Sequence, residues 1–94
     1  MPPLLHLGAT IFSMRLRILA FASASDALGA AESAFELASG ARVDDFKRAL
    51  LVRYPALAAL LPRLAIAVDG EIASNDRELF EGAEIALLPP VSGG

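Results

Sequence analysis

The residues of this chain whose types and spacing best suit chemistry stand together in the run Pro89-Pro90-Val91-Ser92-Gly93-Gly94. The two prolines fix φ near the polyproline II value and offer no N–H, so a strand that runs into them ends with a stiff exit. The two glycines carry no Cβ, occupy little cross-section and adopt almost any backbone conformation. Six extended residues reach roughly 20 Å at about 3.3 Å each. A stiff base with a thin tip suits delivery of the Gly94 carboxylate into a narrow site on another protein.

Composition excludes several other kinds of site. The 94 residues include no cysteine, which excludes disulfides, thiolate zinc sites and cysteine nucleophiles. His6 is the single histidine and cannot form a multi-histidine site, so we expect no bound metal. A net charge of −3 argues against nucleic acid as a partner, because few phosphates could be neutralised. The length allows one domain with a modest core.

The first thirteen residues, MPPLLHLGATIFS, are interpreted as an extension that precedes the domain. The stretch is apolar but too short to span a bilayer. It also lacks the basic start and the small-residue cleavage site of a secretory signal. Met14 comes directly before the first clear strand pattern. We therefore expect no membrane association and a cytoplasmic protein.

Two alternating patterns predict a first hairpin. Residues 15–21 place Leu16, Ile18 and Ala20 on one strand face, and residues 32–37 alternate again. The stretch 22–30 between them is rich in Ser, Ala and Gly. It is predicted as a loop with at most one helical turn, around residues 26–28, that Gly29 ends.

One segment carries a clear helical pattern. Val43, Phe46, Leu50 and Tyr54 recur at helical spacing, and Pro55 follows directly, so a helix is predicted over residues 43–54. Two aspartates in its first turn and two arginines further along suit the helix dipole. Residues 56–61 are predicted to form a short second helix that Pro62 stops.

The rest of the chain reads as three more strands. Residues 64–68 form a buried strand, Asp69-Gly70 is a two-residue hairpin turn, and residues 71–73 return. A last strand covers residues 84–88. The order β-β-α-β-β-β predicts an α+β fold of the ubiquitin-like β-grasp kind, with a mixed sheet of about five strands curled over one main helix. Residues 14–88 are the predicted domain and residues 89–94 a flexible tail.

The sequence EIALLPPVSGG, from Glu84 to Gly94, closely resembles the C-terminus of the small subunit of molybdopterin synthase (the MoaD family). In that family an acidic residue, an apolar strand, Pro-Pro-Val, Ser or Thr and Gly-Gly follow in this order. The resemblance runs from Met14 onward but is looser there, at Phe21-Ala22, Leu28-Gly29 and Ala67-Val68. Residues 1–13 lie outside it.

The resemblance implies a sulfur carrier with Gly94 and Gly93 as the reacting end. An ATP-dependent activating enzyme (the MoeB family) adenylates Gly94, and a sulfur donor converts the adenylate to a C-terminal thiocarboxylate. The large synthase subunit (the MoaE family) then accepts the tail, and the sulfur passes to cyclic pyranopterin monophosphate to form molybdopterin. No cofactor is implied to stay bound to the carrier, and the carrier is not catalytic alone.

The resemblance also implies a docking surface. Phe21, Ile72 and Leu88 match positions that form an apolar patch against both partners, and residues 89–92 (Pro89, Pro90, Val91, Ser92) follow the patch into the partner site. An ordinary core role for the three patch residues is the alternative. Acidic residues crowd the C-terminal half, which indicates either a solvated face or steering toward a basic partner surface: Asp69, Glu71, Asp76, Glu78, Glu81 and Glu84.

Three other functions remain open at this point. A sulfur carrier of the same fold could serve thiamine, cysteine or tRNA thiolation, with the same chemistry at Gly94 and a different acceptor. A ubiquitin-like modifier would instead join Gly94 to lysines of target proteins. Lys47 is the only lysine of the chain, which makes chains of such a modifier difficult to build. An interaction domain with an inert tail is a further possibility.

Overall fold

The first hairpin is built from the predicted alternation of apolar side chains. A computed structural model describes residues 12–90. Strand β1 (Ser13–Ala20) pairs antiparallel with β2 (Glu32–Ala38) and places Leu16 opposite Phe35. Both of these side chains are buried, as are Ile18 and Ala20. Strand β1 begins two residues before the predicted strand and includes Ser13, which had been assigned to the extension.

The segment between these strands corrects the loop prediction. It forms a short helix, α1 (Ser23–Leu28), which Gly29 ends in the left-handed conformation at φ 84°. Ala24 and Leu28, one turn apart, are both buried against the core. A run of Ser and Ala carries too little pattern to predict six helical residues, and here packing stabilises them.

The main helix, α2 (Val43–Arg53), follows the predicted pattern. Val43, Phe46 and Leu50 are completely buried. The ring of Phe46 meets that of Phe35 edge to face, with 5.5 Å between centroids. The predicted helix is confirmed, with Tyr54 capping it rather than lying in its last turn.

The backbone N–H groups at the start of α2 donate hydrogen bonds to other parts of the same chain. The backbone N–H groups of Val43 and Asp44 donate to the carbonyls of Arg77 and Asn75, at 2.9 and 3.0 Å. The backbone N–H of Arg42 donates to Asp45 Oδ2 at 2.9 Å. This hydrogen bond, helped by the nearby Arg48, lowers the pKa of the Asp45 carboxyl. The start of α2 is thus tied to the segment after β4.

The short helix predicted over residues 56–61 is wrong. Two 3₁₀ turns, Pro55–Leu57 and Leu61–Arg63, occupy this region, and Leu57, the last residue of the first turn, is completely buried. Pro62 lies inside the second turn instead of stopping a helix. Pro62 has no N–H to donate to the carbonyl four residues earlier, so a continuous α-helix through this region would lose a hydrogen bond.

The remaining strands complete one five-stranded sheet in the order β2-β1-β5-β3-β4. Strands β3 (Ala65–Val68) and β4 (Glu71–Ile72) form an antiparallel hairpin, and β5 (Glu84–Leu88) lies antiparallel to β3 and parallel to β1. The sheet is therefore mixed, with α2 packed on one face. The β-grasp prediction is confirmed.

The predicted turn at Asp69-Gly70 is also present. Both residues have positive φ, at 49° and 87°, as a type I′ turn requires. Asp69 also extends the sheet, because its backbone N–H donates to the Glu84 carbonyl and its Oδ1 accepts from the Glu84 N–H. Across residues 12–90, neither α-helix is long and apolar enough to cross a membrane.

Candidate functional site

Strand β5, which leads into the tail, lies in the middle of the sheet. β1 pairs with one edge of it and β3 with the other, and Ile85 and Leu87 are completely buried against α2. Leu88 stands opposite Ala65, Pro89 is half-buried and Pro90 is exposed. The base of the tail is therefore held by the core. The predicted site residues beyond it, Val91, Ser92, Gly93 and Gly94, lie outside the described residues.

The register brings small and apolar residues into one row on the sheet face opposite α2. Leu19 pairs with Ala86, Ala86 with Ala67, and Ala67 with Ile72. Ile72 at the end of this row is 69% exposed. The row crosses four strands, and every side chain in it is apolar.

A second row follows at the end of the sheet where the tail leaves. Leu88 pairs with Ala65, and Phe21 directly follows Ala20, which pairs with Leu87. Phe21 is 48% exposed, and Leu88 is half-buried rather than part of the core. We call the two rows together the apolar sheet face, with the members Leu19, Phe21, Ala65, Ala67, Ile72, Ala86 and Leu88.

The structure thus brings together the three patch residues that the sequence predicted. Sequence reasoning missed the other members of the apolar sheet face. The sequence does contain a sign of them, because Leu19 and Ala86 alternate with the buried residues of β1 and β5 and so belong to the opposite strand face. Three of the four are alanines, however, and alanine does not mark a strand face.

Charged side chains stand at the border of this face. Arg17 makes two ion pairs, from Nε to Glu32 Oε2 at 2.7 Å and from a terminal guanidinium nitrogen to Glu84 Oε2 at 2.9 Å. Glu32 pairs across the sheet with Leu19, and Glu84 comes two residues before Ala86. We call these three residues the Arg17 cluster.

A strained residue fixes the chain next to Phe21. Ala22 has φ 50° and ψ −126°, a conformation that favours glycine. Helix α1 begins there, and the N–H of Ala24 donates to the Phe21 carbonyl at 2.9 Å. The turn therefore holds the Phe21 backbone between the end of β1 and a packed helix.

The described residues do not assemble a metal site. Residues 12–90 contain no group of three or more His, Cys, Asp or Glu side chains that could hold a metal ion. What the structure offers is an apolar face with a charged border, from which a central strand leads into the tail.

Comparisons with known proteins agree with this architecture. The ThiS family matches residues 18–94. The molybdopterin synthase sulfur carrier subunit of Chlamydomonas reinhardtii is 34% identical over 83 residues, which cover 86% of this chain and all of that protein.

Two solved structures share the fold. Small archaeal modifier protein 1 from Haloferax volcanii is 26% identical with a TM-score of 0.75, over 83% of this chain and 99% of the other. One chain of the Helicobacter pylori complex between subunits 1 and 2 of molybdopterin-converting factor is 27% identical with a TM-score of 0.61. The match covers 86% of this chain and 100% of that chain. By its sequence match and its relatives, the chain belongs to the ThiS family, and its curated relatives are molybdopterin synthase sulfur carrier subunits.

Proposed function

We propose that this chain carries sulfur as a thiocarboxylate on Gly94 and donates it, as a subunit of molybdopterin synthase, to cyclic pyranopterin monophosphate. One observation carries the proposal. The strand that leads into the Gly-Gly tail is fixed in the centre of the sheet, beside an apolar face on which Phe21, Ala65 and Ile72 are exposed and a partner can dock. Curated relatives of the chain are sulfur carriers of this synthase.

The chemistry begins with activation of a poor electrophile. The Gly94 carboxylate attacks ATP on an activating enzyme of the MoeB kind, which forms an acyl adenylate and releases pyrophosphate. A sulfur donor then replaces AMP and leaves a thiocarboxylate. Its sulfur is a strong nucleophile on a tip without a side chain, so it needs little ordering to enter a narrow site. ATP is used by the partner, and no cofactor stays bound to the carrier.

The partner that accepts the tail is a large synthase subunit of the MoaE kind. The Helicobacter pylori relative was solved as a complex of subunits 1 and 2 of its molybdopterin-converting factor. On this chain the apolar sheet face is the surface suited to such docking, because Phe21 and Ile72 are exposed on the same sheet face as Leu88, the last residue of the strand that leads into the tail. We expect the reaction to take place in the cytoplasm.

The test concerns the last residue. Deletion of Gly94 should abolish sulfur transfer and leave the melting temperature unchanged, since the core ends at β5. One residue added after Gly94 should be nearly as damaging, because the reacting atom moves by about 3.5 Å in a site that needs close placement. The measurement is single-turnover conversion of the pterin precursor by thiocarboxylated variants mixed with the large subunit.

Ser92→Ala is the matched control, because it removes one hydroxyl and keeps the thin tip; its effect should be mild. Gly93→Val should react slowly, since a branched side chain must enter a channel shaped for bare backbone. Full activity of the Gly94 deletion would contradict the carrier function.

A modifier function is the second candidate, because the chain also resembles small archaeal modifier protein 1. Lys47, whose Nζ donates to Asn75 Oδ1 at 2.8 Å, is the one lysine of the chain, so chains of such a modifier could use only this one side-chain amine. Mass spectrometry of protein from its host separates the candidates. Replacement of one terminal oxygen by sulfur marks a carrier, and isopeptide adducts mark a modifier.

A carrier for thiamine, cysteine or tRNA thiolation would show the same terminal mass. Reconstitution with the large subunit and the pterin precursor separates it from the synthase subunit, because only the latter would convert the precursor.

A further inference from the structure

We infer that the Arg17 cluster is a specificity determinant of docking: its surplus carboxylate receives a lysine or arginine of the protein that covers the apolar sheet face. The inference rests on the proposed function for the docking itself and adds the chemistry that the partner must present at one border of the contact.

The Arg17 cluster carries a net negative charge. One guanidinium bonds two carboxylates, at 2.7 Å to Glu32 and 2.9 Å to Glu84, so the three side chains hold one negative charge in excess. Arg15, the next cation along β1, lies in the row of Glu36. It forms none of the ion pairs found among residues 12–90. Within the described part of the chain, the excess charge of the cluster is thus left without an ion-pair partner.

The Arg17 cluster lies directly beside the Leu19–Ala86 row of the apolar sheet face. Glu32 stands directly across from Leu19, and Arg17 pairs with Glu84 one row before the Leu19–Ala86 row. A partner that covers Leu19 and Ala86 therefore removes water from the cluster as well. Water now solvates the surplus carboxylate, because all three side chains are about half exposed.

The consequence is a requirement on the partner. A carboxylate that loses its water without gaining a counterion is costly to bury, whereas a cation placed there compensates for the loss. A basic side chain opposite the cluster strengthens binding, and a neutral or acidic one weakens it. The cluster therefore discriminates among partners whose apolar docking surfaces have similar shapes. The Arg17 side chain keeps the two glutamates in place and sets how much charge is displayed.

A graded series of charge variants tests this inference against the purified large subunit from the same organism. Glu84→Gln makes the cluster neutral, and the double change Glu32→Gln with Glu84→Gln makes it positive. Arg17→Gln leaves both carboxylates unpaired and makes it more negative. Dissociation constants measured at low and high salt should give the tightest binding for Arg17→Gln, then wild type, then Glu84→Gln, then the double variant.

We expect about a tenfold weakening for Glu84→Gln at low salt, and the differences should shrink as salt rises. Glu36→Gln is the matched control, because Glu36 lies on the same face of β2 but two rows away from Leu19. It should bind within about twofold of wild type. Melting temperatures identify any variant whose fold is affected. A role that is only structural would make Arg17→Gln bind more weakly than wild type.

The two levels of the proposal fail differently. If the wild-type chain does not bind the large subunit, the proposed function and the inference both fall. If the wild type binds and the series is flat, reversed in order or unaffected by salt, the inference alone is overturned.

Discussion

Ala22 combines a non-glycine side chain with a backbone conformation that favours glycine, at φ 50° and ψ −126°. Such strain costs on the order of 1–3 kcal/mol. Ala22→Gly should therefore stabilise the fold by about 1 kcal/mol, after the extra freedom of glycine in the unfolded chain is subtracted. Urea unfolding measures this change.

Ala30→Gly is the control for Ala22→Gly, because Ala30 is also exposed but is not among the residues with positive φ. It should be neutral or slightly destabilising. If Ala22→Gly destabilised the protein as much as the control, the strain at Ala22 would not exist in solution.

Asp45 makes stability depend on pH. The Arg42 N–H bond lowers its pKa in the folded protein below the ordinary value of 3.8. A lowered folded-state pKa gives stabilisation that is complete above the unfolded-state pKa and lost as pH falls through the folded-state pKa. Melting temperatures followed from about pH 5 to about pH 2.5 should fall more steeply for wild type than for Asp45→Asn. Parallel curves would contradict this assignment.

At the scale of elements, helix α2 depends most on one side chain. Phe46 is completely buried and packs edge to face on Phe35. Phe46→Ala should destabilise the fold by about 3–5 kcal/mol, because it removes a full aromatic ring and leaves a cavity. Denaturant unfolding measures the loss. Val52→Ala on the same helix, where the side chain is 83% exposed, should change stability little. A loss below about 1 kcal/mol for Phe46→Ala would contradict the packing described.

The elements differ in how far the sequence could predict them. Helix α2 was predictable because Val43, Phe46 and Leu50 combine helical spacing with side chains large enough to mark a face. The turn at Asp69-Gly70 was predictable because few residue pairs adopt two positive φ values. Helix α1 was not, since Ala24 and Leu28 gain their stability from the core they meet. The two 3₁₀ turns were not predictable for the same reason, because packing of the buried Leu57 side chain against the core stabilises them.

At the scale of the whole molecule, stability and docking should be separable. Ile72 is exposed on the apolar sheet face, so Ile72→Asp should leave the melting temperature nearly unchanged. It should weaken binding of the large subunit at least about tenfold, because a carboxylate would be buried against apolar surface. Val52→Asp on α2 places the same charge on the opposite side and should affect neither measurement. Equal binding by both variants would exclude this face from the contact.

The candidate site was only partly predictable, because it depends on how strands from the whole molecule are arranged. The proposed roles of Phe21, Ile72 and Leu88 came from family resemblance, and the proposed role of the tail came from its local residue chemistry. The two rows that contain them depend on the register of four strands, and the alanines in these rows carry no signal of their own. The Arg17 cluster likewise joins residues from three strands, with Arg17 and Glu84 separated by 67 positions.

The central place of β5 has a consequence for the order in which the protein is made. Of the described elements β5 is synthesised last, yet it fills the gap between β1, made first, and β3. Until β5 is available, no strand joins β1 to β3, and the core lacks the buried side chains of Ile85 and Leu87. Ala86 and Leu88 of this strand also belong to the apolar sheet face. A partner that docked there would therefore engage only chains whose synthesis has passed the strand that leads into the Gly-Gly tail.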